Sequence, residues 1–318
     1  MKKLLMFVTM SVLLWACGGG GTTTTTTDET ATKDSSAPPV KKEDKNAYSP
    51  EKADKLIKEM KACEKTVCDA TLALTELGPK VGPKLEEIAA NATLSKEERR
   101  KAFFVLDEIG AFEGGQKLLE AAKKGAEDEM RRRLFKTAVR TENEAVITDL
   151  LDYYISDEVL KNKDKYLHLD IASAFSGASS RPKIGSKVMA WVKKNYSTKN
   201  ESYYTSLIGR SATKEDVSFL AKSLENSKNL KAKFNLAATL VELGEKKYIQ
   251  VLIDGMSTGD QYSKDSAARN FAKVVEDCPA DQKTKVIALI KKIKAANVLA
   301  PLGIKGRVFD EALKKLEK

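Results

Sequence analysis

Lys96-Glu-Glu-Arg-Arg-Lys-Ala-Phe-Phe-Val-Leu-Asp-Glu-Ile-Gly110 reads as one complete helix. Phe103, Leu106 and Ile109 fall at three-residue spacing and share a face, while the charged start supplies a solvated one. Gly110 then offers a backbone that takes φ > 0 and stops the helix. The pattern returns in Thr71-Leu-Ala-Leu-Thr-Glu-Leu-Gly78 and in Lys228-Asn-Leu-Lys-Ala-Lys-Phe-Asn-Leu-Ala-Ala-Thr-Leu-Val-Glu-Leu-Gly244.

Aligning such stops gives Gly78, Gly110, Arg140, Gly177, Gly209, Gly244 and Cys278, at intervals of 32, 30, 37, 32, 35 and 34 residues. Each stop is followed by a polar turn and a second apolar-periodic stretch: 84–90, 116–124, 144–154, 183–194, 214–224, 246–256 and 281–294. About fifteen residues per helix is the geometry of paired-helix repeats. From Ser49-Pro50-Glu51, an N-cap followed by Pro at N1 and an early acid, to Lys318, no stretch alternates at period two. The expected fold is all-α, a solenoid of about seven helix pairs. An irregular bundle of similarly long helices is the competing arrangement.

Composition agrees. The chain has 318 residues, 42% of them apolar and 31% charged, with 55 Lys+Arg against 45 Asp+Glu, one His and four Cys. This excludes collagenous, multi-span membrane and small disulfide-scaffold classes.

The N-terminus reads differently. Met1-Lys2-Lys3 is cationic, and Leu4 to Ala16 is an apolar run that matches a secretory h-region. Thirteen helical residues reach roughly 20 Å, short of the ~30 Å of a hydrocarbon core. Residues 18–50, with Gly18 to Gly21, Thr22 to Thr27 and then Ser, Pro, Lys and acids, carry no periodic apolar face. Such a segment is expected to be a disordered tether of roughly 30 Å r.m.s. reach. Three parts follow: 1–17, 18–50 and 51–318.

Leu14-Trp15-Ala16-Cys17 resembles the lipobox of bacterial lipoproteins, with Leu at minus three, a small residue at minus one and the Cys at the right distance from a charged start. The resemblance implies lipidation of the Cys17 thiol, cleavage before it and acylation of the new amine. Two or three acyl chains anchor a protein almost irreversibly. Gly18, where Asp would signal inner-membrane retention, points to the outer membrane. A plain signal peptide with an incidental Cys is the alternative.

The segments 96–110 and 228–244 also carry the basic, then Ala/Leu, then Leu-Gly pattern of the first helix of HEAT repeats, and residues 51–294 resemble the degenerate bacterial HEAT-like kind. The resemblance implies a superhelix of stacked pairs that binds proteins along an extended face. Some bacterial HEAT-like proteins resemble bilin lyases, which gives an alternative as a lyase or enzyme-associated factor; a purely structural envelope role is the third.

Export puts Cys63, Cys68 and Cys278 in an oxidising compartment. Cys63-Glu-Lys-Thr-Val-Cys68 lies where one helix turns into the next, and a turn brings residues five apart within bridging distance, so a Cys63–Cys68 disulfide is expected. Two free thiols on a continuous helix are the alternative. Cys278 reads as a small core residue.

A search for chemistry returns little. Phosphate loops, HExxH, GxSxG and paired CxxC are missing from the sequence, so no catalytic set, cofactor or metal is expected. His168, in Tyr166-Leu-His-Leu-Asp170, reads as a helix-surface or interface His. Glu86-Glu87, Glu97-Glu98 and Glu127-Asp128-Glu129 read as solvated carboxylates at helix starts and polar faces. Tyr153, Tyr154, Tyr196, Tyr203 and Tyr204, with Lys193 and Lys194, form the candidate binding surface, while Trp191 continues the Ile184, Val188 spacing and reads as core. Residues 51–318 hold a net charge of about +9, which favours acidic partners. The second helices alternate in sign, from Glu86-Glu87 to Lys123-Lys124 to Asp149 and Asp152, whereas a nucleic-acid groove is uniformly basic. The expected partner is another envelope protein, with the membrane reached through lipid and no nucleic acid.

Overall fold

Amphipathic segments, all but one of eight to fourteen residues, punctuated by caps, fold as helices that must bury one face against a neighbour. The computed structural model describes residues 47–126, 128–162, 164, 166–296 and 304–318; Cys17 and nearly all of the tether fall outside them. The described helices are α1 (Pro50–Ala62), α2 (Asp69–Glu76), α3 (Gly82–Ala90), α4 (Lys96–Ile109), α5 (Gln116–Lys123), α6 (Asp128–Arg140), α7 (Glu144–Tyr154), α8 (Asp157–Leu160) and α9 (Leu167–Ala174). They continue as α10 (Pro182–Asn195), α11 (Glu201–Ser211), α12 (Val217–Asn226), α13 (Leu230–Glu242), α14 (Ile249–Ser257), α15 (Gln261–Lys273), α16 (Lys283–Ala296) and α17 (Ile304–Leu316). Short 3₁₀ turns lead into α3, α10, α11, α12, α14 and α16, and no strand occurs among the described residues.

Caps account for the boundaries. The Ser49 hydroxyl accepts from Lys52 N at 3.1 Å and Pro50 opens α1. Ser95 and Glu98 form a reciprocal capping box on α4, and Gly110 ends that helix at φ 75°. Asn143 and Asp260 cap α7 and α15 by accepting from Ala145 N and Ser263 N. One expected stop fails. Gly209 lies inside α11, which runs on to Ser211 and ends into Ala212 with extended backbone; a single interior Gly weakens a helix without ending it.

Contacts are relayed along the chain. α2 packs on α4, α4 on α6, α6 on α9, α11 on α13, α13 on α15 and α15 on α17. A second series runs α3 on α5, α5 on α7, α7 on α10 and α14 on α16. The two series are stitched by α3 on α4, α5 on α6, α10 on α11, α12 on α13 and α14 on α15. No substantial contact among the described helices joins members more than three places apart. The inward faces merge into a continuous apolar core that includes Leu74, Leu85, Phe103, Leu118, Phe135, Tyr154, Phe175, Leu220, Leu252, Phe271 and Ile290.

The start of this unit is clamped. α1 and α2 meet at a turn closed by the Cys63–Cys68 disulfide, with Cα atoms 6.6 Å apart. Lys101 of α4, itself buried, donates through Nζ to the carbonyls of Lys61 and Cys63 at the C-terminus of α1, where a cation complements the helix dipole. Cys278 is a free, buried thiol. At the other end Phe309, Ala312, Leu313 and Leu316 of α17 are buried, with α17 lying on α15 and α16.

Candidate functional site

Side chains that join successive helix pairs explain where the polar residues went. The Glu86 carboxylate of α3 caps α5: Oε1 accepts from Gly115 N and Lys117 N, both at 2.9 Å, and from Leu118 N at 3.3 Å. This corrects the reading of Glu86 as solvated, for it is only 4% exposed. A buried carboxylate is tolerated because three backbone donors that have no partner inside α5 meet it there. Gly115 holds φ 100° to present its amide, and a Cβ on it would sit 2.8 Å from Thr141 Oγ1. Glu87 and Glu129 keep to the surface and pair with Lys117 at 2.5 Å and Arg100 at 3.0 Å. The side chains of Glu127 and Asp128 lie outside the described residues.

Asp170 of α9 ties α6 through side chains instead. It is 1% exposed and accepts from Arg131 Nη2 at 2.8 Å and from Arg132 Nε at 2.9 Å, while Arg131 Nη1 reaches Asp164 at 2.7 Å. Farther along, Arg210 donates to Ser176 and Gln282 to Gln250, across separations of 34 and 32 residues.

The sequence-selected aromatics divide sharply. Tyr154 of α7 has no exposed surface, and Tyr153 and Tyr204 are also buried. These three are core residues, which corrects their placement on a binding surface; each continues the inward stripe of its helix. Burial pushes the Tyr153 hydroxyl up to about 12, helped by its hydrogen bond to Glu158 at 3.0 Å. Tyr203 is half-buried, its ring 5.8 Å from both Tyr154 and His168. Tyr196 is half-buried between Tyr204 and Phe219, at 5.5 and 5.6 Å, and burial lifts its hydroxyl to about 12. Trp191 is buried against Tyr204, and its indole N–H donates to Asp152 of α7 at 2.8 Å. Lys193 pairs with Asp216 at 2.6 Å, and Lys194 is exposed.

The surface beside this cluster belongs to residues not selected from sequence. Tyr166 and Leu169, 48% and 51% exposed, flank the half-exposed His168 at the start of α9. His168 stacks edge-on against Tyr203 of α11 and feels the charge of Lys231 in α13, next to Leu230, which is 47% exposed. Burial first, and Lys231 second, hold the imidazole below its ordinary value. A signal was present: Leu167 and Ile171 already account for the inward face of α9, so Tyr166 and Leu169, at i and i+3 on another face, form an apolar pair with no core to enter.

Among the described residues no group of three or more His, Cys, Asp or Glu is placed to hold a metal ion, and no helix is long and apolar enough to cross a membrane. No family model matches the chain, and no curated protein or solved structure is significantly similar to it.

Proposed function

We propose that this chain is an envelope lipoprotein anchored through Cys17, whose helical part is a HEAT-like solenoid that binds another protein. The observation that carries the binding reading is the group of apolar and aromatic side chains that reach solvent around His168: Tyr166 just before α9, Leu169 on α9 and Tyr203 on α11, whose ring meets the His168 ring. Burying such side chains releases about 25 cal/mol per Å² of apolar surface, and tyrosines are enriched at interface centres.

The solenoid reading draws support from the relayed contacts and from polar links between neighbouring pairs about one repeat apart: Lys117 to Glu87 over 30 residues, Arg140 to Asp107 over 33 and Trp191 to Asp152 over 39. The Cys63–Cys68 bond agrees with an exported location, and the net charge with an acidic partner. The anchor itself rests on Leu14 to Cys17, and incorporation of a labelled fatty acid that Cys17→Ser abolishes is its direct test.

A photo-cross-linking residue placed singly at positions 169, 203 and 183 of the full chain, in living cells, tests the binding reading. Lys183 is highly exposed on α10 and serves as the control. One shared adduct from 169 and 203, missing from 183, is expected; no adduct, or the same adduct from all three, rejects the proposed face.

A further inference from the structure

A second site lies across three helices of the same series. α11, α13 and α15 enclose a cleft of about 410 Å³ whose lining is polar or charged apart from one glycine. Gly209, the failed stop of α11, forms part of its wall, and a Cβ built there would meet Thr239 Oγ1 at 3.5 Å, an ordinary contact. Gly is a poor helix former, and nothing in the packing requires it at this position. Its effect is to leave the space beside Thr239 empty.

Around that space stand three charges that leave most of their bonding capacity unused. Arg210 donates to Ser176 Oγ at 2.8 Å and Lys273 to Asn270 Oδ1 at 3.0 Å, one bond each from groups with five and three donors. Glu242 takes part in no hydrogen bond or ion pair among the described residues, although Lys273 is close enough to act on it electrostatically. Both Glu242 and Lys273 are exposed, and desolvation is the first cause of the rise of the carboxyl and the fall of the ammonium. Thr239 spends its proton on the Asn235 carbonyl at 3.0 Å, which leaves its oxygen, beside Gly209, as an acceptor. The cleft therefore offers cationic donors from α11 and α15 and acceptors of both kinds from α13.

We infer that this cleft binds a free α-amino acid, the carboxylate lying between Arg210 and Lys273 and the ammonium against Glu242 and Thr239. A lone anion would leave Glu242 repelling it, and a lone cation would face Arg210 and Lys273. A zwitterion satisfies both, and Gly209 supplies the room. The site is separate from the α9–α11 surface, and its ligand does not depend on the partner proposed there.

Calorimetric titration of the full chain with glycine tests this, with acetate and methylammonium as single-charge comparators. Saturable glycine binding with a Kd of about 1 mM or tighter is expected, with each comparator at least about tenfold weaker. Arg210→Gln and Glu242→Gln should each weaken glycine by about tenfold or more. Gly209→Leu should abolish binding while holding or raising the melting temperature, because leucine is a better helix former and fills the space. No saturation by about 20 mM glycine overturns the inference, as does acetate binding equal to glycine, or binding unchanged in a folded Gly209→Leu chain.

Discussion

Glu86 Oε1 and Lys117 N lie 2.9 Å apart across the gap between α3 and α5, so a side chain of one helix pair closes the backbone of the next. Replacing Glu86 by Ala leaves the Gly115, Lys117 and Leu118 amides without a partner in a buried place. The expected loss is about 2–3 kcal/mol of unfolding free energy, with Glu86→Gln costing less because an acceptor remains. Urea titration by circular dichroism measures both.

Reducing the Cys63–Cys68 bond reopens a short loop. Loop-closure entropy assigns it about 2 kcal/mol, and that loss falls on α1 and α2, which pack on α4. Hydrogen exchange of the Cys63→Ser, Cys68→Ser chain should show faster exchange over residues 50–76 and unchanged protection from α7 onward.

Tyr154 and Tyr203 touch, yet their replacements should separate cleanly. Tyr154→Ala empties a fully buried site on α7 and is expected to cost about 3–5 kcal/mol. Tyr203→Ala trims a half-buried ring and should cost about 1 kcal/mol or less while removing the cross-link at the α9–α11 face. Melting curves of the two variants provide the comparison.

His168 is the sole histidine, so its imidazole protons give one resolved titration by nuclear magnetic resonance. A midpoint below 6.5 is expected in the folded chain, because burial and Lys231 disfavour the cation. The native state then binds fewer protons than the unfolded state just below pH 6.5. Stability is accordingly full above that pH and falls as pH drops toward the folded midpoint. His168→Gln should remove that part of the decline.

Helix periodicity was legible because it needs only local spacing: 144–154 as read from sequence is α7, and Gly110 and Gly244 follow helix ends as their patterns require. The exceptions have physical causes. Gly209 resembled a stop because a Leu-Ile-Gly triplet looks alike at a helix end and in a helix interior; the difference is whether the next residues still find a packed face, as Ser211 does at 1% exposure. Glu86 looked solvated because its partners are amides 29 to 32 residues away, which composition cannot reveal. The tyrosines were found as a concentration, but which of them face inward depends on the register of α7 and α11 against α10. Tyr154 and Tyr204 point to the core, and Tyr203, one residue away, does not.

Since every substantial contact among the described helices spans at most three places, this part of the chain assembles from pieces that are already close in sequence. Chains of low contact order fold quickly and need no distant segment before the first structure forms. A chain threaded end-first through a narrow exit would thus consolidate pair by pair as it emerges, exposing little sticky surface at any moment while its last helix is still inside.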